Sequence, residues 1–377
     1  MAVYLDNSAT TKPCREAVEA VNYMMTENFG NPSSLHTPGI EAAKSLISAR
    51  EAIARALGCE KDEIYFTSGA TEANNLALFG AAAAKRRAGN RIVTTAIEHE
   101  SVVAAADELE KQGFEVIRLM PDKHGNISAA DFAEAINDKT ILVSAMYINN
   151  EIGSIMPIDK IKKIIEMKKA PALFHTDCVQ AFGKVKISPR KLGADLISIT
   201  AHKIHGPKGT GALYIKKGTR ILPRVFGGEQ EKRMRPGTEA SPLIAGFGAA
   251  AAALPDTEIQ SQAVSGLNSY LRELLSKIDG IQFNSDENAS PYILNVYVPT
   301  FMRSQTIVQE LSSKYEVYVS NGSACAKGKK SHVLAAMHLS DEIADKSIRI
   351  SFSRFNTKQD CEICAAAIKD LTEKHPR

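Results

Sequence analysis

The chain has 377 residues, 44% of them hydrophobic and 24% charged, a balance that supports a large buried core and predicts about two domains. A formal net charge of +3 is too weak to argue for nucleic acid or a membrane surface, and no apolar run approaches the roughly 18 residues a membrane helix needs. Six scattered cysteines, at 14, 59, 178, 325, 361 and 364, are not a disulfide framework, and the opening Met1-Ala2-Val3-Tyr4-Leu5-Asp6 lacks a signal-peptide layout, so a cytoplasmic protein with free thiols is expected.

In chain order, the strand-like Ile64-Tyr65-Phe66 runs into Thr67-Ser68-Gly69-Ala70-Thr71-Glu72, which opens a helix predicted over 73–84. Small residues at a helix N-terminus leave backbone N–H groups for an anion such as a phosphate; a capping box at Ser68 and Thr71 accounts for them nearly as well. Strands are predicted at 91–97, 115–119, 140–148, 173–177, 195–200 and 211–215, with a helix over 101–112 capped by Ser101 between the first two. Such alternation implies an α/β fold, its large domain a mainly parallel sheet flanked by helices, with ligands at the carboxyl ends of strands.

The residues just past those strand ends are the chemical candidates. His99, in Ile97-Glu98-His99-Glu100-Ser101, could stack on an aromatic cofactor and move protons. The flanking glutamates also admit a metal, although three adjacent positions cannot all face one ion. Asp177 closes the run Leu173-Phe174-His175-Thr176, where a carboxylate would keep a pyridine nitrogen protonated; an N-capping aspartate is the even alternative. Gln180, three residues on, could reach the phenolic oxygen of such a ring. Lys203 ends Ser198-Ile199-Thr200-Ala201-His202-Lys203 and enters a turn rich in glycine. A partly desolvated lysine there can form a Schiff base, a solvated surface lysine being the ordinary alternative.

After the alanine run at 249–253 and Pro255 the alternation fades. A helix over 258–278 and strands near 292–298, 316–319 and 347–352 predict a smaller α+β domain. The expected division is 15–255 for the large domain and 1–14 with 256–377 for the small one. In the latter, Cys325 lies in Ser320-Asn321-Gly322-Ser323-Ala324-Cys325-Ala326-Lys327-Gly328-Lys329-Lys330, a loop sequence whose lysines would increase the thiolate fraction. Cys178 is the runner-up for a reactive thiol, though Asp177 beside it would raise its pKa. Arg349, in a β-branched strand pattern, needs an anionic partner such as a substrate carboxylate if it points inward, and is a surface residue if it points outward. Cys361 and Cys364 form a CxxC in an apolar helical stretch, where helix packing is expected.

Together these segments resemble the NifS/IscS-type cysteine desulfurases, in the class V aminotransferase family of fold type I pyridoxal-phosphate enzymes. The resemblance runs from Tyr4-Leu5-Asp6-Asn7-Ser8-Ala9-Thr10-Thr11 through Asn28-Phe29-Gly30-Asn31-Pro32-Ser33-Ser34 and SGATEANN at 68–75. It continues with Asn149-Asn150-Glu151-Ile152-Gly153, HTDCVQ at 175–180, HK at 202–203, Arg235-Pro236-Gly237-Thr238-Glu239 and Ser323-Ala324-Cys325. It implies that Lys203 carries pyridoxal 5'-phosphate, that Asp177 pairs with the pyridine nitrogen and Gln180 with the phenolic oxygen, and that His99 stacks on the ring as an acid/base. It implies a phosphate held by Gly69, Ala70, Thr71, Thr200 and His202, with Thr238 from the second subunit of a homodimer. Asn150 and Arg349 would bind the carboxylate of L-cysteine, and Cys325 would accept its sulfur as a persulfide, releasing alanine. A selenocysteine lyase or another class V activity is the rival among enzymes, and an inactive partner-binding platform the rival outside them.

Two departures from the housekeeping iron–sulfur branch bear on the acceptor. The segment after Cys325 is short and basic, and the chain ends at Pro376-Arg377 without the C-terminal extension used there for docking. The expected sulfur acceptor is therefore a tRNA- or thiamine-thiolation enzyme ahead of an iron–sulfur scaffold, with no direct nucleic-acid or membrane contact.

Overall fold

The computed structural model describes residues 2–321 and 331–377. Among these, seven strands form one sheet: β2 (Ile64–Thr67), β3 (Arg91–Thr95), β4 (Glu115–Leu119), β5 (Thr140–Ser144), β6 (Leu173–Asp177), β7 (Leu196–Thr200) and β8 (Gly211–Ile215), in the order β2-β8-β7-β6-β5-β3-β4. Every residue of β5, β6, β7 and β8 is buried, which is why they read as unbroken apolar runs instead of alternating ones. The pairs from β4 through β7 are parallel, as predicted. β8 runs against both β7 and β2.

Preceding the sheet are α1 (Arg15–Thr26) and α2 (Thr37–Leu57), which pack on the helix Ser241–Ala252. The sheet's central strands are covered by α3 (Ala70–Lys85), and α4 (Glu100–Lys111) packs on α3. Both of the latter helices start earlier than expected. α3 starts at Ala70 and not at 73, because Gly69 turns the chain off β2. α4 is capped by His99, whose ring accepts from the Ser101 N–H, so Ser101 lies inside the helix and is not its cap.

A second, three-stranded antiparallel sheet pairs β10 (Ile293–Tyr297) with β9 (Gln282–Phe283) on one side and β12 (Ser347–Ser351) on the other. The N-terminal β1 (Val3–Tyr4) lies parallel to β11 (Val317–Tyr318), and Asp6 bridges to Ser351. The first residues of the chain are thereby laid beside its last strand. The helix predicted over 258–278 spans Thr257–Leu275. Among the described residues no helix is long and apolar enough to cross a membrane.

Candidate active site

The carboxyl ends of β2, β3, β5, β6 and β7 share one edge of the sheet, and a cavity of about 600 Å³ opens there. Residues following each of those ends line it: Gly69, Ala70 and Thr71 after β2, His99 after β3, Asn150 after β5, Asp177 and Gln180 at β6, and Thr200, His202 and Lys203 at β7. Ser8, Ala9, Thr10, His332 and Arg349 close the remaining sides.

No side chain caps α3, so its first N–H groups face the cavity mouth as a ready anion site, beside Gly69 and Thr71. The capping box does not form; the Ser68 N–H instead takes Glu72 as its acceptor (2.6 Å), and Glu72 is held by Arg235 (2.9 Å). Thr200 donates its hydroxyl to the Thr210 carbonyl (3.1 Å), and His202 Nδ1 sits 3.3 Å from Thr10 Oγ1. Burial, reinforced by Lys203 and Lys208, pushes His202 down to about 3, so the ring stays neutral.

Asp177 is buried and accepts two hydrogen bonds, from the Val179 N–H at Oδ1 (2.9 Å) and from Asn74 Nδ2 at Oδ2 (2.8 Å). The same Asn74 nitrogen donates to Ser101 Oγ (2.9 Å), which lies 2.8 Å from His99 Nδ1. Burial holds His99 below the usual imidazole range, although Asp177 acts in the opposite sense. Lys203 Nζ donates to the carbonyls of Ser8 and Ala9, the latter at 2.7 Å. Burial, with Arg349 and Lys184 nearby, brings Lys203 down to about 7, where a useful share of the amine is neutral. Gln180 donates from Nε2 to the Ser8 carbonyl (3.0 Å), and its Oε1 accepts from the buried Lys184 (3.0 Å).

Arg349 is buried and points inward, and the carboxylate it meets is Asp6, 2.8 Å from Nη2, with Nη1 on the Asn150 carbonyl at 2.9 Å. The anionic partner expected from a substrate is thus supplied within the chain, because the N-terminal segment is bridged to β12. Arg349 nevertheless lines the cavity, next to Asn150, whose Oδ1 is buried with no partner among the described residues. Thr238 lies outside the cavity and is exposed. Cys325 falls outside the described residues. Cys178 is fully buried, and burial above all pushes its thiol up, which removes it as a reactive candidate. Cys361 and Cys364 are buried in the helix Lys358–Lys374 and pack there as expected. Glu98, one of the two glutamates beside His99, is turned inward to Thr95 Oγ1 (2.7 Å) and the Met146 N–H (2.9 Å), away from a shared ion.

Asn74, Ser101, Lys184 and the carbonyls of Ser8 and Ala9 were not foreseen as site residues. Asn74 lies inside the SGATEANN stretch, Ser8 and Ala9 inside the stretch 4–11, and Ser101 at the expected helix cap, whereas Lys184 carried no signal.

Residues 3–363 match the family model described as aminotransferase class-V. A cysteine desulfurase IscS from Methanosarcina thermophila is 43% identical, the alignment covering 99% of this chain and 92% of the relative. Among solved structures, one titled NifS-like protein superposes with a TM-score of 0.93 at 35% identity, covering 99% of this chain and all of that one. Another, titled SspA in complex with cysteine, has a TM-score of 0.83 at 33% identity, covering 94% of this chain and all of that one.

Proposed function

The chain belongs to the class-V aminotransferase family, and from that premise we propose that it is a pyridoxal-phosphate-dependent cysteine desulfurase, converting L-cysteine to L-alanine with Cys325 as sulfur acceptor. The observation that carries this reading is a buried carboxylate, Asp177, and a part-buried amine, Lys203, brought down to about 7, facing one cavity beside an uncapped helix N-terminus.

Those residues fit the cofactor. The start of α3 at Gly69, Ala70 and Thr71, with Thr200 and His202, offers a cradle for its phosphate. Asp177, already held by two donors, stays an acceptor for the ring nitrogen, and Gln180 offers its amide to the phenolic oxygen. Bound there, pyridoxal phosphate supplies a protonated ring that accepts the electron pair left when the substrate loses its Cα proton. Lys203 would hold the cofactor covalently, and its amine, when free, would take and return that proton. His99 would cover the ring. Arg349 and Asn150 hold the substrate carboxylate. The Cys325 thiolate bonds to the substrate sulfur as the carbon–sulfur bond breaks; the carbon keeps the bonding electrons and, protonated, becomes the methyl group of alanine.

The finer expectations belong to the same proposal. The protein works in the cytoplasm as a homodimer, with Thr238 of each copy reaching the other's phosphate site. The exposure of Thr238, and of Phe29, Leu35 and Phe226 at 74%, 94% and 83%, supports a covering partner. Lys327, Lys329 and Lys330 support a sulfur acceptor with an acidic rim, and in so short a segment a thiolation enzyme is favoured over an iron–sulfur scaffold. Labelled sulfur offered to both in parallel should pass faster, and with salt sensitivity, to the thiolation enzyme; faster transfer to the scaffold contradicts this.

Product analysis tests the main reading. Purified protein should be coloured and should release alanine from L-cysteine without keto acid. Keto acid would mark another class V activity, turnover confined to selenocysteine would mark a lyase for that substrate, and a colourless protein that binds no pyridoxal phosphate would mark an inert platform.

A further inference from the structure

We propose that Asn74 is a positioning residue which, through one amide nitrogen, fixes both the carboxylate of Asp177 and the tautomer of His99. The inference rests on the functional reading above and concerns residues to which that reading gives no role.

Asn74 is completely buried on α3, and its Nδ2 lies 2.8 Å from Asp177 Oδ2 and 2.9 Å from Ser101 Oγ. An ionised carboxylate has no hydrogen to give, so the amide oxygen cannot face it, and Nδ2 spends its two hydrogens on these two acceptors. Its own Oδ1 is left buried without a partner among the described residues, a cost that only a required orientation explains. Ser101 Oγ, already accepting from Asn74, keeps its own hydrogen, and the acceptor in reach is His99 Nδ1 at 2.8 Å. The Ser101 backbone N–H points at the same nitrogen, at 3.2 Å. With two donors aimed at it, Nδ1 is an acceptor, and the single hydrogen of the neutral ring sits on Nε2.

The consequence is a division of labour across the cofactor site. Asp177 is fixed in rotation by its two donors, its carboxylate ready for a ring nitrogen. His99 presents a fixed Nε2–H donor to the cavity and resists becoming an imidazolium, since a hydrogen on Nδ1 would meet two others. The charged groups facing His99 are Asp177 at the end of β6, Lys203 after β7, His332, and Glu100 on its own helix; Lys203 and His332 also oppose its protonation, whereas Asp177 and Glu100 favour it. The tautomer is therefore set by the chain Asn74–Ser101–His99 and not by net charge alone.

Histidine side-chain ¹⁵N NMR on the holoenzyme, with His99 assigned from a His99→Gln variant, tests this. Wild type should show Nδ1 unprotonated and Nε2 protonated from pH 6 to pH 9. Ser101→Ala should mix the tautomers or raise the His99 midpoint, and Ser101→Thr, which keeps the hydroxyl, should restore the wild-type pattern. Asn74→Ala should do the same as Ser101→Ala. It should also shift the pH midpoint of the cofactor's visible band and weaken cofactor affinity about tenfold, because a donor to a buried charge is lost. A wild-type His99 protonated on Nδ1 overturns the proposal, as does an Asn74→Ala protein unchanged in tautomer, midpoint and affinity. Should Asn74→Ala fail to fold, the wild-type spectrum and the two Ser101 variants decide. A wild type that makes no alanine would instead overturn the desulfurase reading, leaving the tautomer result standing.

Discussion

Lys203 shows how burial prepares a single side chain for chemistry. An ordinary lysine is almost wholly protonated at neutral pH, and only the neutral amine attacks a carbonyl. Burial, then Arg349 and Lys184, hold this one near 7. The sign is that of a depressed lysine: the neutral form grows as pH rises through about 7 and is complete well below 10. Cofactor capture by the stripped protein, followed by its visible band, should therefore speed up through about pH 7 and level off by about pH 9. A rate that climbs steadily past pH 10 contradicts this, and Lys203→Ala should show no covalent capture at any pH. Lys203, Asp177, Gln180 and His99 were legible because each lies just past an apolar run, where a parallel sheet places its ligands. The contacts of Asn74 with Asp177 and of Asp6 with Arg349 were not, although both residues lie in stretches that carry the resemblance. Asn74 interrupts an apolar helix with no periodicity to mark it, and its target Asp177 is 103 residues away in sequence; Asp6 and Arg349 are 343 apart. Proximity of that range belongs to topology and leaves no local trace.

At the scale of elements, the cradle at the start of α3 depends on how closely β8 can approach it. A Cβ on Gly211 would lie 2.7 Å from the Ile199 carbonyl and 2.9 Å from the Gly69 Cα, both backbone atoms. Gly211→Ala must push Gly69 outward and open the cradle. We expect cofactor affinity to fall about tenfold with overpacking destabilisation of roughly 1–3 kcal/mol, checked by reconstitution titration and thermal melting. A fully stable variant with unchanged affinity would mean that the cradle does not rely on this contact. The strands themselves were legible because burial on both faces leaves continuous apolar runs. The reversed direction of β8 was not, since Gly-Ala-Leu-Tyr-Ile reads alike whichever way it runs. The run predicted over 140–148 overshot β5 for a related reason. Ala145, Met146 and Ile148 are buried, the last two lining the cavity, so the apolar signal continues after the strand has ended at Ser144.

For the whole molecule, the strands fall into two groups along the chain. The seven-stranded sheet uses residues 64–215, and the other sheets combine Val3–Tyr4 with strands between 282 and 351. The cavity draws on both groups, through Lys203 and Asp177 from one and Arg349 from the other. On the proposed dimer, Thr238→Ala should lower cofactor affinity without altering the sedimentation of a two-subunit species; a strictly monomeric protein of full activity contradicts the assembly. The central claim is that sulfur leaves cysteine onto Cys325 while the rest of the site binds and activates the substrate. Its most direct test is a single turnover without acceptor, holoenzyme in excess over L-cysteine, with alanine and protein-bound sulfane sulfur counted together for wild type and Cys325→Ser. Wild type should yield one alanine and one persulfide on Cys325 per cysteine consumed, and Cys325→Ser should still change the cofactor spectrum on mixing yet release almost no alanine. Full alanine release by Cys325→Ser, or a persulfide found on another cysteine, would contradict the account.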